Sequence, residues 1–387
     1  MKKILSLLLV SALLLTALAA CGAGGEDVGL IESPEPSAEE SAEPVSSPEA
    51  SEAPAHDWDA LRDTHDADEL VMTVDGSEVL WDEFFYWLYM NVSSFESTYG
   101  AVDYTSELTE GMTYADYMLM MAEQYAITFH SLGVEAAAEG IALTDEDRAY
   151  LDEVVQQSIT ANCGEDGTEE DFEEYLAGQY LTRRVFDFVN ETTLLNQRVW
   201  IDLYGENGEL YPETDALSWG NGQGYVNVKH ILVLTQDDEG NALDEAAKAE
   251  KLAEAEEMLD TLQPLSGSAE IEAEFDTLMQ ENSEDPGLAS YPDGYCYTPG
   301  TMYAEFEDAA AELGDYEVSG IVESTSGYHI ILRLPLSVDT VLFDYGYDLR
   351  YVAAQMAFND LVNGWAAGAE VTYSELYDGF DAAAFLA

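Results

Sequence analysis

Two histidines stand in apolar segments where a titratable side chain is unusual. His230 lies inside the run VKHILV (residues 228–233), and His329 lies inside SGYHIILRL (326–334). The chain has only five histidines, so these two, 99 residues apart, either meet by chance in separate cores or form the two halves of one site. A neutral imidazole has one donor and one acceptor nitrogen, so a pair can fix its own tautomers and orient neighbouring polar groups.

The segments around both histidines predict a compact α+β unit over residues 222–336. Residues 225–235 and the run that contains His329 are typical of buried strands, the second after a Ser-Gly turn. Between them the sequence predicts a long helix (243–262), a shorter one, the loop ENSEDPGLASYPDGYCYTPGTM, a helix near 304–313 and a strand around 318–322. A small sheet with surrounding helices is the size of one domain.

The flanking segments predict a mostly helical domain that this unit interrupts. Residues 67–221 open with a hairpin at Asp75-Gly76 and continue with helices whose N-caps are Thr113, Thr144 and Thr168. Residues 337–387 are too few to form a core of their own. We therefore expect them to pack on the N-terminal segment, with the α+β unit inserted between them.

The N-terminus has the pattern of an export signal. Residues 1–20 combine two lysines with an apolar run, and small residues precede Cys21 as in a bacterial lipobox. We expect cleavage before Cys21 and acylation of its sulfur; the alternative is ordinary secretory cleavage nearby, which would leave Cys21 as an odd thiol. Residues 21–66, rich in Pro, Ser, Glu and Ala, predict a lipid-anchored disordered tether, so the protein would lie outside the cytoplasmic membrane.

The charge of the chain restricts its partners. The sequence has 12 basic and 79 acidic residues, and removal of the two signal lysines makes the formal charge about −69. The negative electrostatic field of this charge excludes nucleic acid and anionic membrane surfaces as partners, which leaves the lipid as the only membrane contact. The same field favours cationic or unfolded polypeptides as partners. Cys163 and Cys296 have no CxxC or zinc spacing, so neither a disulfide scaffold nor a zinc site is expected.

Several motifs together resemble one known family. VKHILV, NSED (282–285), TPGTMYAEFEDAA (298–310) and SGYHIILRL occur in the order and at the spacing of parvulin-type peptidyl-prolyl isomerases, over about 110 residues. The flanking arrangement is similar to PrsA-type extracytoplasmic foldase lipoproteins, and TVDG…DEF resembles the start of SurA/PrsA chaperone segments. The resemblance implies a four-stranded parvulin domain inserted into a helical chaperone domain.

The resemblance also implies roles for individual residues. His230 and His329 would be the paired family histidines on adjacent strands, and Asp285 takes a position where the family has Cys or Asp. Met302 and Phe306 would form the floor of the proline pocket. Tyr297 would be an aromatic wall residue, and Ser326 would be the small hydroxyl residue beside the second histidine. Cys296 would be a packing residue next to Tyr297.

Proline isomerisation requires no nucleophile, metal or cofactor. The barrier to rotation about a peptide bond is about 18–20 kcal/mol because the C–N bond has double-bond character. A site must hold the proline ring, desolvate the amide and favour the twisted state. A thousandfold acceleration requires only about 4 kcal/mol of differential stabilisation. An apolar socket with a carboxylate near the carbonyl oxygen can supply this.

Other interpretations of the same residues remain open. His230, His329 and Asp285 could form a two-His-one-carboxylate metal site, and Ser326 could serve a Ser-His-Asp hydrolase, although no nucleophile-elbow pattern surrounds it. A holdase that binds peptides without useful catalysis is favoured by the loop YPDGYCYTPG, which departs from the commoner Gly-Asp-Leu-Gly pattern. A solute- or polymer-binding lipoprotein is a further alternative. The acidic stretch TQDDEGNALDEAAK (235–248) argues against phosphate recognition.

Overall fold

A computed structural model describes residues 56–237 and 239–386. The predictions for the signal peptide, for acylation at Cys21 and for most of the tether fall outside these residues. The described chain divides into two compact units. The first unit combines the residues up to Asp202 with those from Asn359 onward, and the second unit is Leu203–Phe358. Within the described ranges, no helix is both long enough and apolar enough to cross a membrane.

The N-terminal part of the first unit is mostly helical. Its elements are α1 (Trp58–Arg62), β1 (Leu70–Val74), β2 (Ser77–Leu80), α2 (Trp81–Tyr99), β3 (Glu107–Thr109), β4 (Met112–Thr113), α3 (Tyr114–Ala138), α4 (Asp145–Cys163), α5 (Glu169–Ala177) and α6 (Arg183–Tyr204). Asp75 and Gly76 both have positive φ (52° and 81°), the conformation that a two-residue hairpin requires. The predicted hairpin is therefore confirmed.

The three predicted N-caps are confirmed by their hydrogen bonds. Thr113, Thr144 and Thr168 each accept from the backbone N–H three residues later, and an aspartate at that position accepts from the threonine N–H in return. These capping boxes satisfy backbone donors that the first helical turn leaves free. Two methionines of α3, Met118 and Met121, are buried and belong to the core.

The second unit contains the predicted α+β fold. Its elements are α7 (Glu213–Gln223), β5 (Val226–Leu234), α8 (Glu245–Leu262), a short 3-10 helix (Gln263–Leu265), α9 (Ile271–Asn282), β6 (Tyr295–Tyr297), α10 (Ala304–Glu312), β7 (Val322–Glu323) and β8 (Gly327–Leu334). The four strands form one antiparallel sheet in the order β6-β5-β8-β7. The predicted small four-stranded sheet is confirmed.

The central strands bury both faces, and alternation assigns each residue to one face. Ile231, Val233, Ile330 and Leu332 pack against α8 and α9. Side chains on the opposite face include Val228 and Ile331, which pack with residues of α10 and β6. Both histidines lie on this second face, so the strand period brings them together.

The chain ends in the first unit, as the fold prediction requires. The last elements are α11 (Leu349–Gly368), β9 (Val371–Tyr373), α12 (Glu375–Asp378) and α13 (Ala382–Leu386). Strand β9 pairs antiparallel with β1, and Ala382 and Leu386 are buried in the core that contains α2 and α3. The first unit is therefore built from both ends of the described chain.

The second unit extends beyond residues 222–336 on both sides. Ala216 and Tyr225 share a core cluster with Val338, Leu342 and Leu349. Residues 337–358 thus belong to the second unit, whereas the sequence analysis expects all of 337–387 to pack on the first. The reason is local: apolar side chains after β8 cover the end of the sheet next to α7.

Candidate active site

The two histidines lie on neighbouring central strands. In the register of β5 and β8, His230 is opposite Ile331 and His329 is opposite Leu232, so the histidines are diagonal neighbours on one face. Their Nδ1 atoms are 3.2 Å apart. The ring centroids are 5.4 Å apart and the planes differ by 16°. The imidazoles therefore meet edge to edge through a hydrogen bond, and both are buried.

Asp285 joins this pair from the loop that follows α9. Its Oδ2 lies 3.1 Å from His230 Nε2 and accepts from the Tyr295 hydroxyl at 2.7 Å. Its Oδ1 accepts from the Gly287 N–H at 3.0 Å. Burial alone would raise the pKa of Asp285, but these three donors outweigh it and lower the pKa to about 2. Asp285 is therefore ionised at neutral pH.

The hydroxyl beside His329 belongs to Ser324, which corrects the expectation for Ser326. Ser324 Oγ lies 2.7 Å from His329 Nε2. The Ser326 hydroxyl instead donates to the Tyr303 hydroxyl at 3.3 Å, and the Ser326 N–H donates to Ser324 Oγ at 3.1 Å. The turn before β8 thus directs the first of the two serines inward, while the second supports it from the rim.

The hydrogen-bond network determines which atom of each contact is the donor and which is the acceptor. The Asp285 carboxylate can only accept, so His230 donates through Nε2–H and, when neutral, accepts at Nδ1. His329 must then donate through Nδ1–H and accept at Nε2 from the Ser324 hydroxyl. The result is a chain of donors, Ser324 to His329 to His230 to Asp285, that ends on the carboxylate.

The same surroundings keep His329 neutral. Burial is the main reason that the pKa of His329 is lowered to about 4, and the adjacent His230 lowers it further, while Asp285 acts in the opposite direction. An imidazole with such a pKa has one donor and one acceptor nitrogen at pH 7. This agrees with the role that the network assigns to it.

Apolar side chains form the floor next to the network. The Phe306 ring lies edge-on to both imidazoles, with centroid distances of 5.3 Å to His230 and 5.4 Å to His329. Tyr297 packs behind Phe306 and is fully buried, whereas Met302 is half-buried. Glu307 accepts from the Met302 N–H at 2.7 Å and so fixes the turn before α10. Phe306 therefore borders the network directly, and Met302 packs against the cluster that contains Phe306.

Cys296 is a packing residue, as the sequence analysis predicts. Its side chain is buried in the cluster with Tyr225 and Leu342. Burial raises the pKa of its thiol to about 12, so the thiol remains protonated at neutral pH.

The geometry does not suit the metal or hydrolase interpretations. Asp285 and His329 contact opposite nitrogens of His230, so the three side chains do not converge on a common point. Within residues 56–237 and 239–386, no group of three His, Cys, Asp or Glu side chains has the arrangement of a metal site. Ser326 Oγ contacts Tyr303 rather than an imidazole.

Sequence reasoning missed Ser324 and Tyr295. The stretch ESTSG (323–327) offers three hydroxyl residues before His329, and only the turn geometry selects Ser324. Tyr295 lies in the unusual loop YPDGYCYTPG. The glycines at 287 and 294 were the available signal, because close approach of a side chain or backbone often requires glycine.

Comparison with known proteins identifies the class of the second unit. Residues 230–334 match the rotamase family model, described as the PPIC-type PPIASE domain. This part of the chain is a parvulin-type domain, in agreement with the motifs and with the four-stranded sheet.

Three curated relatives match parts of the chain. The foldase protein PrsA of Halalkalibacterium halodurans is 37% identical over 109 residues, which is 28% of this chain and 26% of that protein. PrsA of Geobacillus kaustophilus is 48% identical over 59 residues, which is 15% of this chain and 21% of that protein. The putative peptidyl-prolyl cis-trans isomerase dodo of Drosophila melanogaster is 45% identical over 62 residues, which is 16% of this chain and 37% of that protein. The chain thus spans between 21% and 37% of these curated relatives.

Solved structures of foldases align over more of the chain. PrsA from Bacillus cereus is 17% identical, with 78% of this chain and 90% of that chain covered and a TM-score of 0.27. PrsA from Lactococcus lactis is 17% identical, with 79% and 95% covered and a TM-score of 0.27.

Proposed function

We propose that the chain is a peptidyl-prolyl cis-trans isomerase and foldase that acts on unfolded or partly folded polypeptides containing X-Pro bonds. The observation that carries this proposal is the joined network of Ser324, His329, His230 and Asp285 beside the apolar floor of Phe306 and Met302. The match of residues 230–334 to the PPIC-type model supports it.

In this proposal the apolar residues bind the proline ring. Phe306 and Met302 form the floor of the socket, and Tyr297, which is buried behind Phe306, fixes its shape. Binding in a shaped apolar pocket desolvates the amide on either side of the proline. Desolvation favours the twisted state, because that state has lost resonance and carries less charge on its carbonyl oxygen.

The network supplies the electrostatic part of the proposed catalysis. An ionised Asp285 near the substrate carbonyl would disfavour the planar, charge-separated amide more than the twisted one. The histidine pair would hold the carboxylate and the Ser324 hydroxyl in fixed directions, so little reorganisation accompanies the rotation. No proton transfer or covalent step is required.

The finer parts of the proposal concern location and clients. We propose that Cys21 is lipidated and that the tether holds the folded units outside the cytoplasmic membrane. We also propose a preference for cationic segments. The loop after β5, with Asp237 and Glu239, lies against the turn that carries Ser324: the Thr235 N–H donates to the Ser326 carbonyl at 3.0 Å, and Gln236 Nε2 donates to the Thr325 carbonyl at 2.7 Å.

Exchange spectroscopy on a proline peptide tests the proposed activity. Residues 22–387 should accelerate cis-trans exchange of an Ala-Pro peptide at catalytic concentrations, and Phe306→Ala should reduce kcat/KM at least tenfold because the ring socket is lost. Phe172→Ala, a truncation of a buried phenylalanine in the first unit, is the matched control. A folded wild-type chain that leaves the exchange rate unchanged would refute the activity.

A further inference from the structure

Tyr295 contacts two members of the network, Asp285 and His230. Its hydroxyl donates to Asp285 Oδ2 at 2.7 Å, the same oxygen that lies 3.1 Å from His230 Nε2. Its ring centroid is 5.6 Å from that of His230, and the planes are inclined at 68°. The donor to the carboxylate is therefore also part of the packing around the imidazole.

Two glycines make this approach possible. A Cβ added at Gly287 would lie 2.1 Å from the Tyr295 hydroxyl oxygen. At Gly294, where φ is +94°, it would lie 2.2 Å from the Val228 carbonyl oxygen. Both distances are far below van der Waals contact, so the loop is shaped to bring Tyr295 to Asp285.

An aromatic wall fixes the ring of Tyr295. Tyr291 lies 5.1 Å from it and Phe343 lies 5.7 Å from it, between ring centroids. The Phe343 N–H also donates to the Cys296 carbonyl at 2.8 Å, next to Tyr295 in the chain. Phe343 lies outside residues 230–334, so a segment beyond the matched domain supports the site.

We infer that Tyr295 is a positioning residue for the proposed isomerisation: its hydroxyl holds the Asp285 carboxylate in line with the histidine pair, and the wall of Tyr291 and Phe343 holds Tyr295. The inference rests on the proposed function. Without this hydroxyl, Asp285 keeps its hydrogen bonds from His230 and Gly287. It loses the hydrogen bond that Tyr295 donates to Oδ2 from the side of the aromatic wall. The carboxylate then rotates more freely, and its protonated form becomes easier to reach.

Tyr295→Phe in residues 22–387 tests the inference, with Tyr291→Phe as the matched control. The control also removes a hydroxyl group from the wall. In the described residues, however, the donors to Asp285 are His230, Gly287 and Tyr295, so Asp285 keeps all three. We expect Tyr295→Phe to lower kcat about tenfold with little change in KM, and to move the acid limb of the pH profile upward. Tyr291→Phe should change kcat less than twofold.

Nitrogen-15 NMR of histidine-labelled protein gives a readout that does not depend on catalysis. With five imidazoles to assign, the acid transition seen at the His230 Nε2 signal reports protonation of the Asp285 carboxyl group that this nitrogen contacts. We expect Tyr295→Phe to move this transition to higher pH, whereas Tyr291→Phe should not. If the wild-type chain proves inactive, the proposed function fails, and this titration still decides whether Tyr295 controls Asp285.

Gly287→Ala provides a second, independent variant. Its methyl group should displace the Tyr295 hydroxyl, so it should lower activity in the wild-type background and have little further effect in the Tyr295→Phe background. Equal losses from Gly287→Ala in both backgrounds, or a Tyr295→Phe variant that matches Tyr291→Phe in kcat and in the NMR titration, would overturn the inference.

Discussion

At the scale of single residues, the two serines before His329 have different contacts and should have different importance. Replacing Ser324 by Ala removes the donor to His329 Nε2 and leaves a buried acceptor unpaired, which costs about 1–3 kcal/mol. We expect Ser324→Ala to lower isomerase kcat/KM severalfold and Ser326→Ala to lower it less than twofold. Peptide exchange rates for both variants check this, and the reverse ranking would assign the inward role to Ser326.

His329 should make the stability of the second unit depend on pH. Its pKa is about 4 in the fold and about 6.5 in an unfolded chain, so between these values the unfolded chain binds the additional proton. Stability should therefore fall as the pH decreases from about 6.5 to about 4, by at most about 3 kcal/mol.

Amide hydrogen exchange of β5 and β8 measures this dependence locally. His329→Gln should flatten the loss between pH 6.5 and 4, whereas His65→Gln, in the first unit, should not. An unchanged slope in His329→Gln would assign the acid sensitivity to groups other than His329.

At the scale of elements, the backbone on either side of β6 depends on the conformation of its glycines. Gly294 and Gly300 have nearly equal positive φ (94° and 95°), but an added Cβ is blocked by the Val228 carbonyl only at Gly294. Alanine costs about 1 kcal/mol at either position from φ alone. We expect Gly294→Ala to lose several kcal/mol more than Gly300→Ala in denaturant unfolding, and equal losses would show that β6 does not approach β5 this closely.

The regular elements follow from local sequence rules, and the loop does not. The capping boxes at Thr113, Thr144 and Thr168 and the Asp75-Gly76 turn each depend on a few adjacent residues, so propensity predicts them. The resemblance to parvulins predicted that the histidines pair, and the register of β5 and β8 places both on one face. The contacts of Ser324 and Tyr295 depend on turns whose dihedrals no local pattern determines, and the motifs alone did not locate them.

At the scale of the whole molecule, the strongly acidic chain should influence which X-Pro bonds are accepted. The negative potential acts over about a Debye length, about 8 Å at physiological salt, so the residue before proline should experience it. We expect kcat/KM to rank Lys-Pro above Ala-Pro and Ala-Pro above Glu-Pro and phospho-Ser-Pro. The differences should shrink with added salt, and a ranking that ignores salt, or one that favours phospho-Ser, would contradict this account.

The central proposal is that the chain accelerates folding by isomerising proline bonds rather than by holding unfolded chains. The most direct measurement is the refolding of a protein whose slow phase is limited by an X-Pro bond, in the presence of catalytic amounts of residues 22–387. The account predicts a faster slow phase, an unchanged fast phase, and loss of the effect in Phe306→Ala. Reduced aggregation with an unchanged slow phase would contradict it and would identify a holdase.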